Sequence, residues 1–273
     1  MTFIQSIILG FIQGITEFLP ISSSAHLVLT PYFFNWNIPP EQVFPFDVLV
    51  QLGTILAVIV YFWNDLWAIL SGWVTALLNK KPFETQNARM GWYVILASVP
   101  AGLLGVLVKD QVEAVFHSEI STAIFLFLTA VFLCVAEWLG KRTRDMEKIT
   151  WLDALIIGIF QGISLLPGVS RSGATITGGM LRNLNRSDAA RFSFIMSVPV
   201  MLGAGLVSIP DLVEVPNLAG FLPVILTGFV VAAIVGYLAI RWLLSFLRSR
   251  SLFWFAGYCV LLGTVTLVVA FIR

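Results

Sequence analysis

The chain reads as an all-α polytopic membrane protein, and three observations carry that reading. Hydrophobic residues fill 58% of its 273 positions and charged residues only 11%, where a soluble domain carries roughly 25% charged. Mean hydropathy is +0.93. Apolar runs long enough to cross a bilayer recur along the chain. So little charge cannot cover a globule with polar surface, so the outer solvent must be lipid. Sixteen Lys and Arg against fifteen Asp and Glu leave a net charge of +1, which excludes a bulk polyanion-binding surface, nucleic acid included.

The N-terminal stretch is apolar without a positive n-region, so it reads as part of the mature protein rather than a cleaved signal. Segment 3–30 starts apolar, then meets the polar cluster Glu17-Phe18-Leu19-Pro20-Ile21-Ser22-Ser23-Ser24-Ala25-His26. Backbone broken at such a point cannot face lipid; it is buried in protein or lines a wet cavity. The segment therefore reads as a re-entrant hairpin: helix in, loop at depth, helix out. Full spans of about 20 apolar residues follow at 44–63, 90–108 and 120–139. A second hairpin is expected at 151–181, broken at Leu166-Pro167-Gly168-Val169-Ser170-Arg171-Ser172-Gly173. Spans at 190–209, 218–244 and 252–271 complete the count. Cys134 and Cys259 each lie inside an apolar run and read as small hydrophobes rather than a disulfide.

Charge supports this threading. With six full spans and two hairpins, one side collects Lys80, Lys81, Arg89, Lys141, Arg142, Arg144, Lys148, Arg182, Arg186, Arg191, Arg241, Arg248 and Arg250. The other keeps only Lys109 and Arg273, with the acidic Glu41, Asp110, Glu113, Glu119, Asp211 and Glu214. The positive-inside rule then puts both termini outside the cytoplasm. His117, in an acidic external loop, reads as solvated surface.

An internal repeat adds to it. Gly10-Phe11-Ile12-Gln13-Gly14-Ile15 resembles Gly158-Ile159-Phe160-Gln161-Gly162-Ile163 at an offset of 148, and the same offset puts Ser22-Ser23-Ser24 on Ser170-Arg171-Ser172. Three spans separate the equivalent points, so the repeats, 1–145 and 146–273 of one membrane domain, have opposite orientations. Paired broken helices in inverted repeats meet at a binding site near mid-depth.

The breaks bring ionisable groups to depth, which marks them as functional candidates. Arg171 stays charged, and its planar fork suits phosphate oxygens. The Gly/Ser-rich loop around it, running into a helix N-terminus, forms an anion cradle. Glu17, one helical turn after Gln13, suits a divalent cation or a base; it is equally a structural partner for Arg171. His26 follows Ser22 and Ser23 at a spacing that lets imidazole approach a serine hydroxyl, the minimum for activating an oxygen nucleophile. A structural interhelical hydrogen bond is the other use of such a histidine.

Gln13-Gly14-Ile15-Thr16-Glu17-Phe18-Leu19-Pro20 with Ser22-Ser23 and His26 resembles the (Glu/Gln)-x-x-x-Glu motif region of the bacterial undecaprenyl-pyrophosphate phosphatases, of the bacitracin-resistance type. Pro167-Gly168-Val169-Ser170-Arg171-Ser172-Gly173-Ala174-Thr175 is similar to that family's Pro-Gly-x-Ser-Arg-Ser-x-x-Thr signature, and the likeness continues through Gln51-Leu52-Gly53-Thr54 and Phe192-Ser193-Phe194. Gln13 takes the amide option, and Ser24-Ala25 stands where the family has Thr-Gly. A mechanism needing carboxylates at both 13 and 17 is therefore not carried over.

The resemblance implies removal of the terminal phosphate from undecaprenyl diphosphate in the bacterial plasma membrane, recycling the lipid carrier of cell-wall precursors, at a site open to the extracytoplasmic side. It implies Ser23 as nucleophile, with Ser22 as second choice, and His26 as general acid/base. Arg171 becomes the diphosphate clamp and Glu17 the metal ligand or second base. Gln13, Ser22, Ser24, Gly168, Ser170, Ser172, Gly173 and Thr175 become substrate-binding positions, and Mg²⁺ or Ca²⁺ the cofactor. Membrane lipid is the other partner. Gly102 and Gly105 suit either a homodimer or packing of neighbouring helices. The competing reading is a secondary transporter or polyprenyl-phosphate flippase, since inverted repeats are also transporter hardware.

Overall fold

A computed structural model describes residues 1–107, 118–208 and 216–272. Lys109, Asp110, Glu113, His117, Asp211, Glu214 and Arg273 lie outside the described residues. Eleven α-helices are described: α1 Phe3–Thr16, α2 Ser23–Phe33, α3 Pro40–Tyr61, α4 Trp63–Leu78, α5 Gln86–Leu107, α6 Glu119–Leu139, α7 Trp151–Ile163, α8 Arg171–Leu181, α9 Arg186–Val207, α10 Leu218–Leu247 and α11 Phe253–Ile272. Five of them, α3, α6, α9, α10 and α11, are long and apolar enough to cross a membrane. Their outer faces expose Leu56, Val60, Ile124, Val131, Leu226, Ile234, Leu261 and Val268, an exterior suited to lipid rather than water. The sixth anticipated span falls in α5, a helix of 22 residues.

Each broken segment forms two short helices. At 1.5 Å per residue, α1 with 14 residues and α2 with 11 reach about 21 and 17 Å, short of a core about 30 Å thick. Their starts are set by side chains. Thr2 with Gln5, and Thr150 with Asp153, form capping boxes 148 residues apart, and Ser22 and Ser170 cap α2 and α8 at the same offset.

Packing repeats in the same exchanged way. Helix α1 lies on α10 and α7 on α5; α3 lies on α10 and α9 on α5; α3 meets α9, and α6 meets α11. Glycine permits the closest of these contacts. A Cβ at Gly10 would stand 2.5 Å from the Gly228 carbonyl oxygen, and one at Gly158 would stand 2.5 Å from that of Ala97. Gly10→Leu or Gly158→Leu is expected to force the helices apart at a cost of at least about 1–3 kcal/mol. The check is loss of the monodisperse detergent-solubilised peak. Gly102, with nothing within 4 Å of its would-be Cβ, should tolerate leucine there. Gly102 therefore packs against no neighbouring helix among the described residues.

Helix α4 has no counterpart among the anticipated elements. Its 16 residues carry Asn64 and Asp65 in the first turn and bury only Ala76, so its hydropathy pattern is too short and interrupted to read as a span. Asp65 pairs with Arg191 at 2.6 Å, and Trp73 packs on Trp92, which holds α4 against the starts of α9 and α5.

Four of the basic loop residues converge on two buried carboxylates. Glu137 accepts from Arg142, Arg186 and the Leu252 backbone N–H, and Asp153 from Arg144, Arg182 and Thr150. The hydrogen bond to Asp153 raises the affinity of the Arg144 guanidinium for its proton. This clamp fastens the connections after α6, α8 and α10 to one another. Both cysteines are free.

Candidate active site

The two breaks face each other. Helix α1 ends at Thr16 and α2 begins at Ser23, and between them Phe18 is fully buried, edge-on to Phe194 at 5.2 Å. Ser22 holds a left-handed φ of 68°, uncommon outside glycine. Its carbonyl accepts from His26 Nδ1 at 2.7 Å, and its hydroxyl accepts from the Ala25 N–H at 3.3 Å. In the other break Gly168 has φ 99°, and a Cβ there would stand 2.7 Å from the Thr122 carbonyl oxygen. Glycine is required on both counts. The loops are stitched together by Ser172 Oγ donating to the Leu19 carbonyl at 3.2 Å and Gly168 N–H donating to Ser24 Oγ at 3.4 Å.

Glu17 is the hub. Its Oε1 accepts from Arg171 Nη2 at 2.6 Å; its Oε2 accepts from Ser23 Oγ at 2.7 Å and Gln13 Nε2 at 2.8 Å. Arg171 also reaches the Met201 sulfur. The pair is separated by 154 positions in sequence, with Glu17 buried and Arg171 mostly so. Taken out of water, such a pair is held by its hydrogen bonds as much as by Coulomb attraction. Ser23 and Arg171 are the first residues of α2 and α8, so two helix N-termini with their partial positive charge converge on one cavity.

That cavity, of about 360 Å³, is lined by Gln13, Glu17, Ser23, Ser24, Ser170 and Arg171 among the residues anticipated from the sequence. The remaining candidates stand behind it. Ser172 bonds Ser170 and Leu19, Thr175 bonds Ser193 at 2.5 Å and the Arg171 carbonyl at 2.8 Å, and Gly173 donates to Ser170 Oγ. These contacts brace the first turn of α8. His26 points elsewhere. Its Nδ1 faces the Ser22 carbonyl rather than a serine hydroxyl, and its Nε2 lies 2.7 Å from Tyr258 Oη, in a separate apolar groove with Phe11, Leu19, Trp242 and Phe246. Asp47, Gln51, Gln161 and Ser164 also line the cavity and were not among the site residues anticipated. An available signal was one carboxylate, Asp47, inside the otherwise uncharged run 44–63.

Apolar helices enclosing a buried Arg–Glu–Ser network, with two helix N-termini aimed into it, define a multi-pass membrane protein with a polar cavity among its helices. Residues 6–265 match the family described as bacitracin resistance protein BacA, and the chain belongs to that family. It is 43% identical over 275 residues to the undecaprenyl-diphosphatase of Moorella thermoacetica, covering 100% of both chains. It is 43% identical over 277 residues to that of Thermomicrobium roseum, covering 98% of this chain and 99% of the relative. For the undecaprenyl-diphosphatase of Corynebacterium striatum the identity is 42% over 269 residues, with 98% and 94% covered.

Proposed function

We propose that this protein hydrolyses undecaprenyl diphosphate to undecaprenyl phosphate and inorganic phosphate, in the bacterial plasma membrane, at the meeting of two re-entrant hairpins. The observation that carries the reading is the contact of Ser23 Oγ with Glu17 Oε2 at 2.7 Å, beside the Arg171 guanidinium. An oxygen nucleophile, a base and an anion clamp thus share one cavity, in a chain whose relatives bear the name undecaprenyl-diphosphatase.

Phosphoryl transfer asks mostly for positioning and charge stabilisation. In this reading Ser23 Oγ attacks the terminal phosphorus as Glu17 takes its proton. The bridging P–O bond breaks, the lipid monophosphate leaves, and water then releases phosphate from the seryl ester. Arg171 and the α2 and α8 N-termini stabilise the equatorial oxygens. His26, held against Tyr258, fixes the Ser22 carbonyl and with it the strained turn that presents Ser23; action as acid/base would require the ring to leave Tyr258. The apolar tail stays in lipid.

A divalent cation, Mg²⁺ or Ca²⁺, would supply charge neutralisation on the diphosphate. The donor set fits: Gln13 Oε1 is buried with no donor, and oxygen ligands suit both ions. Among the described residues no group of three or more His, Cys, Asp or Glu converges, so such an ion would be shared with substrate oxygens.

The same reading has six spans, α3, α5, α6, α9, α10 and α11, in two inverted repeats, 1–145 and 146–273, with both termini and the site's opening extracytoplasmic. The exchanged packing, the capping boxes at equal offset and helices too short to span in both hairpins support it. The convergence of Arg142, Arg144, Arg182 and Arg186 at one end supports the orientation. The exchanged packing also favours a second reading, a polyprenyl-phosphate flippase or transporter on the same site. Phosphate release from a polyprenyl diphosphate by the purified protein, with Mg²⁺ or Ca²⁺, decides: an inert wild type sinks the hydrolase reading, and lipid flux without hydrolysis favours the second.

A further inference from the structure

Three acceptors in the cavity stand without a donor among the described residues. Glu17 is fully engaged, one oxygen by Arg171 and the other by Gln13 and Ser23. Asp47 is not. Among the described residues no hydrogen bond or ion pair reaches its carboxylate, although it lies on the stripe Phe44, Asp47, Val48 and Gln51 that α3 turns to the cavity. These positions follow i, i+3, i+4, i+7, one face of a helix. Two amide oxygens are the others. Gln13 Oε1 and Gln161 Oε1 have no donor, and each side chain is 1% exposed. Neither amide gains by turning over, because Gln13 Nε2 donates to Glu17 and Gln161 Nε2 to the Ala97 carbonyl. A buried acceptor left unmet costs about 1–3 kcal/mol.

The ion pairs point the same way. Arg171 is paired with Glu17, and Asp47 is the carboxylate on the cavity wall with no cationic partner among the described residues. A deprotonated diphosphate offers the two amide oxygens no donor. A hard divalent cation suits all three groups. It binds oxygen, typically one or two carboxylates plus substrate phosphates, and keeps several waters, whose hydrogens suit the two amide oxygens.

We propose that Asp47, rather than the Arg171-paired Glu17, is the carboxylate that holds a divalent cation against the substrate's diphosphate, with the amide oxygens of Gln13 and Gln161 receiving the cation's water hydrogens. Asp47 and Leu27 also border a neighbouring cavity of about 520 Å³, formed with Met1, Tyr32, Trp36 and Glu119. Asp47 therefore stands between that cavity and the Ser23 site, on the side where the α2–α3 connection lies. The inference deepens the proposed hydrolase reading and rests on it for the diphosphate.

The test is Mn²⁺ binding, read by loss of the free-ion electron paramagnetic resonance signal, in the presence of a methylene-bridged polyprenyl diphosphonate that cannot be cleaved. Wild type, Asp47→Asn, Asp47→Glu and Gln161→Leu are compared, each after a monodisperse detergent peak; Asp47→Ser replaces Asp47→Asn if that variant does not fold. Asp47→Asn is expected to weaken Mn²⁺ binding at least about tenfold and to shift the metal dependence of phosphate release by the same factor. Asp47→Glu should keep most of the affinity, and Gln161→Leu should lose part of it. Wild-type Mn²⁺ affinity and metal dependence in Asp47→Asn overturn the proposal. A wild type that binds Mn²⁺ through Asp47 yet releases no phosphate leaves the cation site standing and defeats the hydrolase reading instead.

Discussion

Arg171→Ala is expected to lower phosphate release from a polyprenyl diphosphate by about 10²–10³-fold, the usual cost of removing one preorganised charge stabiliser. The loss has two sources that separate experimentally. Arg171 supplies the positive charge that meets the phosphate oxygens, and it also neutralises buried Glu17 at 2.6 Å. Removing only the cation strands a buried carboxylate, which costs about 3–5 kcal/mol in stability. Arg171→Ala should therefore show a lowered melting temperature as well as lost turnover. Adding Glu17→Gln to Arg171→Ala should restore much of the melting temperature without restoring activity. An Arg171→Ala protein with full activity would remove the anion clamp from the mechanism.

Ser23→Ala is expected to reduce turnover by more, on the order of 10⁴-fold, as nucleophile deletions do. It should cost only about 1–2 kcal/mol of stability, since the hydrogen bond to Glu17 Oε2 is lost while that from Gln13 remains. Single-turnover mixing followed by acid quench should trap a phosphoryl group on Ser23 in wild type. Trapping on Ser22 would transfer the role by one residue, against a geometry in which Ser22 Oγ caps α2 and bonds Ser24 rather than Glu17. Under the flippase reading Ser23→Ala keeps nearly full function, so this variant also separates the two classes of mechanism.

The sequence made the helical class legible because lipid demands it: 11% charge admits few other exteriors. Five long apolar helices appeared where apolar runs of about 20 residues stood. Both broken segments formed short helix pairs at their Pro/Gly/Ser interruptions, since proline and glycine punctuate helices locally. Helix α4 was not legible. Its 16 residues, with polar groups at the start, match neither a span nor a loop pattern, and its position is set by the Asp65–Arg191 pair and the Trp73–Trp92 contact.

At the site the same division holds. Glu17 and Arg171 stood out alone, because ionisable residues in apolar surroundings are conspicuous in one dimension, and their pairing was among the uses anticipated. The spacing of Ser22, Ser23 and His26 placed a base near a serine along one helix. It contained nothing about α11, and Tyr258 on α11 is what takes the imidazole Nε2. The carboxylate against Ser23 comes instead from across the turn, six positions earlier.

By itself, then, the sequence determined what is local or solvent-driven: a lipid-suited exterior, the long apolar helices, the two breaks, and which charges stand inside apolar segments. Only the tertiary structure decided which groups meet. Hydrogen bonds and ion pairs reach about 3 Å, whereas the partners come from helices as far apart in the chain as α1 and α8. Which carboxylate is neutralised by Arg171, and which, at Asp47, meets no cationic partner among the described residues, follows from that packing and from no pattern along the chain.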